Sequence, residues 1–192
     1  MTLRINARAP TSAHHLDAYM TPAEAVRALM SIERLPRCIA DPCVGTGAIL
    51  DVLAEAGHIV HGAAVVDYGW PHTVIRDYLA EPVQMNGVGI VTNPPFRLAE
   101  RFIRKAIADD CHYHTWLMRT NFLESVSRLA LWRDYPPSRV WVSSRRLPMM
   151  HRENWTGPRS TSNVCYAWYV WDGPANNNRR AEIDFFDWRA CA

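Results

Sequence analysis

Thr92-Asn93-Pro94-Pro95-Phe96, placed directly after the apolar run Val88-Gly89-Ile90-Val91, constrains this chain more than any other stretch. A short apolar run that ends in a rigid polar turn reads as a buried parallel strand with its C-terminal end exposed. In open α/β sheets that end is where ligands bind. The two prolines remove two N–H donors, so the turn presents mainly carbonyl oxygens. The Asn93 side chain adds an acceptor and Phe96 an aromatic face. A planar ring carrying an exocyclic NH2 suits such a site. The Asn93 amide oxygen and the Pro94 carbonyl accept its two protons, Phe96 stacks on the ring, and the nitrogen lone pair turns toward an electrophile. The alternative is a tight Pro-Pro turn with no ligand.

A second motif precedes it. Arg37-Cys38-Ile39-Ala40 reads as the first strand and runs into Asp41-Pro42-Cys43-Val44-Gly45-Thr46-Gly47. A helical pattern follows at Ala48, Ile49, Val52, Leu53 and Ala56, stopped by Gly57, before a second strand from His58. Strand, glycine turn, helix and strand make a nucleotide-binding βαβ unit. A dinucleotide turn cradles pyrophosphate with GxGxxG, but here Leu50 takes the third glycine position. Asp41 at the strand tip repels phosphate and attracts a cation. S-adenosylmethionine, with an ammonium, a sulfonium and no phosphate, fits that charge logic. The 52 residues from Asp41 to Asn93 leave room for three strand–helix steps, which puts both motifs on adjacent central strands.

Between the motifs, Ala63-Ala64-Val65-Val66-Asp67-Tyr68-Gly69 ends the second strand. A carboxylate usually holds ribose hydroxyls there. Ala64 stands near that position, and Asp67 comes a few residues late, either reaching the ribose or only capping the Gly69 turn. Asp77 is either an acceptor for the cofactor's adenine amino group or a polar residue on a surface helix. Upstream, Thr21-Pro22-Ala23-Glu24 combines a capping box with proline at the first helical position, predicting a helix to about Glu33. Val26, Leu29, Met30 and Ile32 point it toward the core, and Tyr19-Met20-Thr21-Pro22 either folds over a cofactor or merely leads into the helix.

After Phe96, the spacing of Leu98, Phe102, Ile103 and Ala106 predicts a helix whose other side carries Arg97, Arg101, Arg104 and Lys105. Tyr113 to Met118 reads as the fifth strand, Asn121 to Arg133 as a helix, and Arg139 to Ser143 as another strand. Residues 144–163 read as a long loop carrying Arg145, Arg146, His151, Arg152, Trp155 and Arg159, a mix suited to a nucleic-acid backbone and an unstacked base. Val164 to Trp171 closes the sheet, and Ile183, Phe185, Phe186 and Trp188 mark a last packed segment.

Charge follows this division. Residues 1–96 hold six arginines against nine acids, and residues 97–192 hold fifteen basic residues against ten acids. All but Lys105 are arginine, which forks onto phosphates and stacks on bases. Five cysteines without CxxC spacing indicate reduced thiols and no zinc site. With no signal peptide or long apolar span legible, the expectation is a cytoplasmic protein that engages no membrane. Its domains are an irregular arm over residues 1–20 and one domain over 21–192.

From Thr21-Pro22 through Tyr166-Ala167-Trp168-Tyr169-Val170-Trp171, the chain resembles small phage-type DNA adenine N6-methyltransferases of the class I S-adenosylmethionine-dependent fold. Asp41 to Gly47 looks like the family's cofactor loop and Asn93 to Phe96 like its catalytic motif; Arg119 to Ser125 and Ser144-Arg145-Arg146 are also family-like. The resemblance implies a Rossmann-like α/β domain with a mostly parallel central sheet and a C-terminal antiparallel strand. Catalysis is expected at Asn93, Pro94, Pro95 and Phe96. Cofactor contacts are expected from Thr21, Pro22, Asp41, Pro42, Cys43, Gly45, Gly47, Asp67, Asp77 and Asn93. Arg97, Arg101, Arg119, Arg145, Arg146, Arg152, Trp155 and Arg159 are the expected nucleic-acid contacts, in a bacterial host cell or prophage context. No separate target-recognition domain is legible, so sequence reading falls to the 144–163 loop or to a second subunit of a homodimer. Asn-Pro-Pro motifs also serve RNA guanine and protein glutamine methylation, and Ala64 leaves open a catalytically weak nucleic-acid-binding module. Cys43 and Cys111 read as packing residues.

Overall fold

The computed structural model describes residues 20–149, 164–174 and 180–190. In chain order the elements are α1 (Ala23–Ile32), β1 (Cys38–Asp41), α2 (Ala48–Glu55), β2 (Ile59–Ala64), β3 (Val74–Ile75) and β4 (Val88–Thr92). They continue with α3 (Ala99–Ala108), β5 (Tyr113–Arg119), α4 (Leu129–Asp134), β6 (Arg139–Ser143), β7 (Tyr166–Asp172) and β8 (Glu182–Phe186). Among the described residues these strands form one sheet in the order β3-β2-β1-β4-β5-β7-β6-β8. β7 runs antiparallel to both β5 and β6, and the other pairings are parallel. The expected mostly parallel α/β sheet with a late antiparallel strand is what forms.

Two apolar layers cover the sheet. On one, Val26 and Leu29 of α1 pack with Ile49, Leu50 and Leu53 of α2. On the other, Phe102, Ile103 and Ala106 of α3 pack with Leu131 of α4 and the aromatic rings of β5 and β7. The interior strands β4 and β5 are buried almost throughout, as covering on both faces demands. α3 keeps its predicted charged side, with i,i+4 pairs Glu100–Arg104 and Lys105–Asp109 at 2.9 and 2.8 Å.

Four expectations change. The Thr21–Glu24 capping box does not form: Pro22 is the N-cap, no side chain caps the helix, and the Ala25 N–H donates to the Pro22 carbonyl. Proline has no side-chain acceptor, and Thr21 comes one residue too early, buried. Only α2 fills the three strand–helix steps between Asp41 and Asn93. Residues 65–73 and 76–87 connect their strands without helices, punctuated by Pro71 and Pro82 and by positive φ at Gly69 and Gly87. The 121–133 helix shrinks to α4 behind two short 3-10 turns, Thr120–Leu123 and Val126–Arg128. Ser125 breaks it, with φ 152° and its Oγ accepting from the Ser127 N–H. Finally, β7 does not close the sheet. β8 pairs with β6 beyond it; Phe186 is buried, while Ile183 and Phe185 are exposed.

Candidate functional site

The sheet reads β1 beside β4 with Ala40 opposite Ile90, so Asp41 and the segment Thr92-Asn93 leave the same end of the sheet on neighbouring strands. The two motifs touch. Thr92 Oγ1 donates to Asp41 Oδ1 at 2.5 Å, and the Cys43 N–H donates to the same oxygen at 2.8 Å. Asp41 is 2% exposed, and burial pushes its carboxyl up to about 7 against the pull of these two hydrogen bonds. A buried carboxyl at a strand tip, with one oxygen held by donors, is prepared for a cation that offsets its desolvation.

The glycine turn is built by different forces at its two glycines. Gly45 has φ 53°, and a Cβ there meets nothing nearer than the Cys43 carbonyl at 3.8 Å, so its surroundings admit a ligand. Gly47 has φ 88° as the N-cap of α2, and a Cβ there would lie 1.7 Å from Cδ1 of the Trp70 indole. Trp70 also crosses Gly62 and donates through Nε1 to Asp51 Oδ1 at 2.8 Å. Pro42 is buried and Cys43 half-buried. Burial, then the nearby Asp41 charge, raises the Cys43 thiol, and burial pushes Cys111 up to about 12. Both stay protonated at neutral pH, which removes them as nucleophiles.

At the end of β4, Asn93 is half-buried and Pro94 buried, and the Leu98 N–H donates to the Pro95 carbonyl at 2.8 Å, turning the chain into α3. Phe96 sits beneath the Arg119 guanidinium, 4.5 Å from its ring centroid, with the Tyr166 ring 6.1 Å away and tilted by 47°. Arg119 thus lies against the Asn93-to-Phe96 motif. Arg97 and Arg101 are exposed on the turn and first part of α3 that follow it.

Other candidates are placed less centrally. Thr21 is buried and Pro22 begins α1, where the Ala25 carbonyl accepts from Trp168 Nε1 at 3.1 Å. Asp67 and Asp77 are exposed, and each closes its own turn by accepting the N–H two residues on, Gly69 at 2.7 Å and Leu79 at 2.9 Å. Ala64 is buried at the end of β2, and the side chains exposed beyond it are Val65 and Val66. Arg145 is ion-paired with Asp187 at 2.7 Å, tying the segment after β6 to the one after β8, while Arg146 is exposed. Arg152, Trp155 and Arg159 lie outside the described residues, as do the arm over residues 1–19 and residues 150–163 of the long loop. Thr92 and Tyr166 lie within stretches the sequence singles out but carry no expected role there, and Trp70 lies outside those stretches. Trp70 and Tyr166 reach the site through chain folding, which local sequence does not signal.

No family model and no curated protein matches the sequence. Solved structures do match. A protein of Pyrococcus horikoshii ascribed RNA methyltransferase activity superposes with TM-score 0.62 at 14% identity, over 87% of this chain and 92% of its own. The M protein of the type I restriction enzyme EcoKI gives 0.53 at 16% identity, over 85% of this chain and 47% of its own. The 1,6-didemethyltoxoflavin-N1-methyltransferase of Burkholderia thailandensis, with bound S-adenosylhomocysteine, gives 0.50 at 16% identity, over 82% of this chain and 79% of its own. The fold of this chain is therefore the Rossmann-like α/β fold of these methyltransferases.

Proposed function

We propose that this protein transfers a methyl group from S-adenosyl-L-methionine to the exocyclic N6 amine of an extruded adenine in DNA. The observation that carries the reading is the joining of Asp41 to Thr92, which sets a cation-seeking carboxylate beside Asn93-Pro94-Pro95-Phe96. One motif suits the sulfonium cofactor and the other a planar ring bearing an NH2. Asp41, Pro42, Cys43, Gly45 and Gly47 would line the cofactor's side, with Thr21 and Pro22 at its edge and Asp67 and Asp77 as candidates for the nucleoside. S-adenosylhomocysteine bound in the Burkholderia thailandensis enzyme supports this cofactor on this fold. The cofactor supplies the electrophilic methyl group.

The chain's own residues orient and shield. Asn93 Oδ1 and the Pro94 carbonyl accept hydrogen bonds from the two amine N–H groups, holding the lone pair in line with the methyl group, and Phe96 supports the ring. The new nitrogen–carbon bond would form as the sulfur–carbon bond breaks, S-adenosylhomocysteine would leave, and the methylated amine would release one proton to water. The target base must leave the duplex to reach them. Exposed Arg97, Arg101 and Arg146 supply phosphate contacts. The Pyrococcus horikoshii neighbour supports RNA as the second reading of the acceptor.

The test is transfer of labelled methyl to duplex DNA, single-stranded DNA and RNA, followed by nucleoside analysis. N6-methyladenine in DNA is expected; label only in RNA, in 5-methylcytosine or in protein overturns the assignment. Asn93→Ala should leave cofactor binding near parental while lowering transfer about a hundredfold or more, the cost of one oriented acceptor at the reacting atom.

A further inference from the structure

β5 runs parallel to β4 and ends at Arg119, against Phe96, so the chain that follows starts beside the Asn93-to-Phe96 motif. β6 begins at the opposite end of the sheet, which places the tight turns over residues 120–128 at the site end before α4 carries the chain back. These turns are anchored from below. Phe122 is buried, with the Trp132 and Tyr169 rings edge-on to it at 5.5 and 5.8 Å. Arg128 closes the loop over that ring. Its guanidinium lies 4.6 Å from the Phe122 centroid, Nε donates to the Phe122 carbonyl at 2.8 Å, and Nη2 donates to the Glu124 carbonyl. Ser125, at φ 152°, accepts through Oγ from the Ser127 N–H at 3.2 Å. Between these fastened residues stands Val126, 89% exposed, the most exposed of the large apolar side chains described; Leu123 and Leu129 beside it are exposed too.

We propose that Val126 is a wedge that enters the base stack of a DNA duplex where the target adenine leaves it. The proposal rests on the reading that adenine is extruded to Asn93. Extrusion leaves a hole in the stack, and proteins that unstack a duplex fill such steps with an apolar side chain. A wedge has to protrude, to be apolar, to be held against being pushed back, and to stand at the end of the molecule where the base is received. Val126 has each property: it projects from a turn whose carbonyls are tied by Arg128, at the end of the sheet that carries Asn93. A lone exposed valine on a protein surface is ordinary. One held out by a buried phenylalanine, an arginine and a serine turn is a built feature. Three apolar side chains in one turn are too few for a stable protein interface, which takes about 800 Å² per partner, whereas a wedge needs one. Arg97 and Arg101, exposed on the turn and helix after the motif, bring the phosphate backbone to this end.

The test compares methyl transfer by the full chain to long native duplex DNA and to the same DNA after heat denaturation, where no stack has to be refilled. Val126→Ser should lower transfer to the duplex about tenfold while changing transfer to the denatured DNA by less than about twofold. Val126→Leu, which stays apolar, should keep most of the duplex activity. Affinity for S-adenosylmethionine and the unfolding midpoint should match the parent's in both variants, since the side chain packs on little of the fold. Equal losses on the two forms of DNA, or no loss on either, would overturn the wedge. Label placed by the parent in denatured DNA alone would overturn it and leave the adenine reading standing. A changed sedimentation of Val126→Ser without DNA would assign the turn to a contact between copies of the chain, which also overturns it. A parent that labels neither form of DNA is the separate result that overturns the underlying reading, and the wedge with it.

Discussion

At the scale of single residues, Asp41 carries the most consequential chemistry. Its carboxyl stands at about 7 against an ordinary 3.8 because burial penalises the charge more than the Thr92 and Cys43 hydrogen bonds favour it. The sign of the linkage follows. The folded protein holds a proton that the unfolded chain has already lost, so this group's contribution to stability is complete below about pH 4. It is lost as pH rises through about 7. Without ligand, the parent should therefore lose thermal stability between these limits more steeply than Asp41→Asn does. A cationic ligand reverses the preference, because it binds the ionised form. Affinity for S-adenosylmethionine, measured by calorimetry, should rise with pH up to and through about 7, whereas Asp41→Asn should bind weakly and without that rise. A flat profile in the parent would remove Asp41 from the cofactor site.

The elements show why part of the site was legible and part was not. Asp41-to-Gly47 and Asn93-to-Phe96 could be read because strand, turn and helix signals are local, and their meeting on β1 and β4 followed from the length between them. The connections of β3 could not. The helices expected from the spacing are replaced by turns over residues 65–73 and 76–87, and that choice leaves Val65, Val66, Val74 and Ile75 exposed. Hydrophobic periodicity gives no warning when residues that look like core remain at a sheet edge. At Gly47 the space that a Cβ would take is filled by a tryptophan 23 residues later, which no local signal announces. Gly47→Ala should therefore cost about 2–4 kcal/mol in urea unfolding, from left-handed strain plus displacement of the Trp70 indole from Asp51. Gly45→Ala, with open space above it, should cost about 1–2 kcal/mol. In a Trp70→Ala background the two glycine substitutions should cost the same, and a persistent gap would mean Trp70 is not the cause.

Across the whole molecule, the candidate site occupies one end of the sheet and an ionic network around the buried Glu33 secures the other. β5 and β6 begin, and the antiparallel β7 ends, at the end opposite Asp41 and Asn93. There Glu33, just past α1 and with its side chain 4% exposed, accepts from Arg139 Nε at 2.6 Å, Arg139 Nη2 at 3.0 Å and Trp141 Nε1 at 2.5 Å. Arg139 Nη2 also reaches Asp172 at 2.8 Å, and the Glu33 bond in particular strengthens its hold on its proton. α1 is thereby joined to β6 and β7, elements more than a hundred residues away in sequence. Nothing in the local pattern around Glu33 announced this, because a lone acid after a helix usually faces water. Glu33→Ala removes the buried carboxylate that holds Arg139 and Trp141, while Asp172 still compensates the part-exposed Arg139, so it should cost about 1–3 kcal/mol in chemical denaturation. At temperatures where that variant is still folded, its affinity for S-adenosylmethionine should match the parent's, since the network and Asp41 lie at opposite ends of the strands. Asp41→Ala should show the reverse, losing cofactor affinity without a comparable loss of stability. If Glu33→Ala instead weakened cofactor binding in the folded protein, the two ends of the sheet would be coupled, and support would not be separate from chemistry.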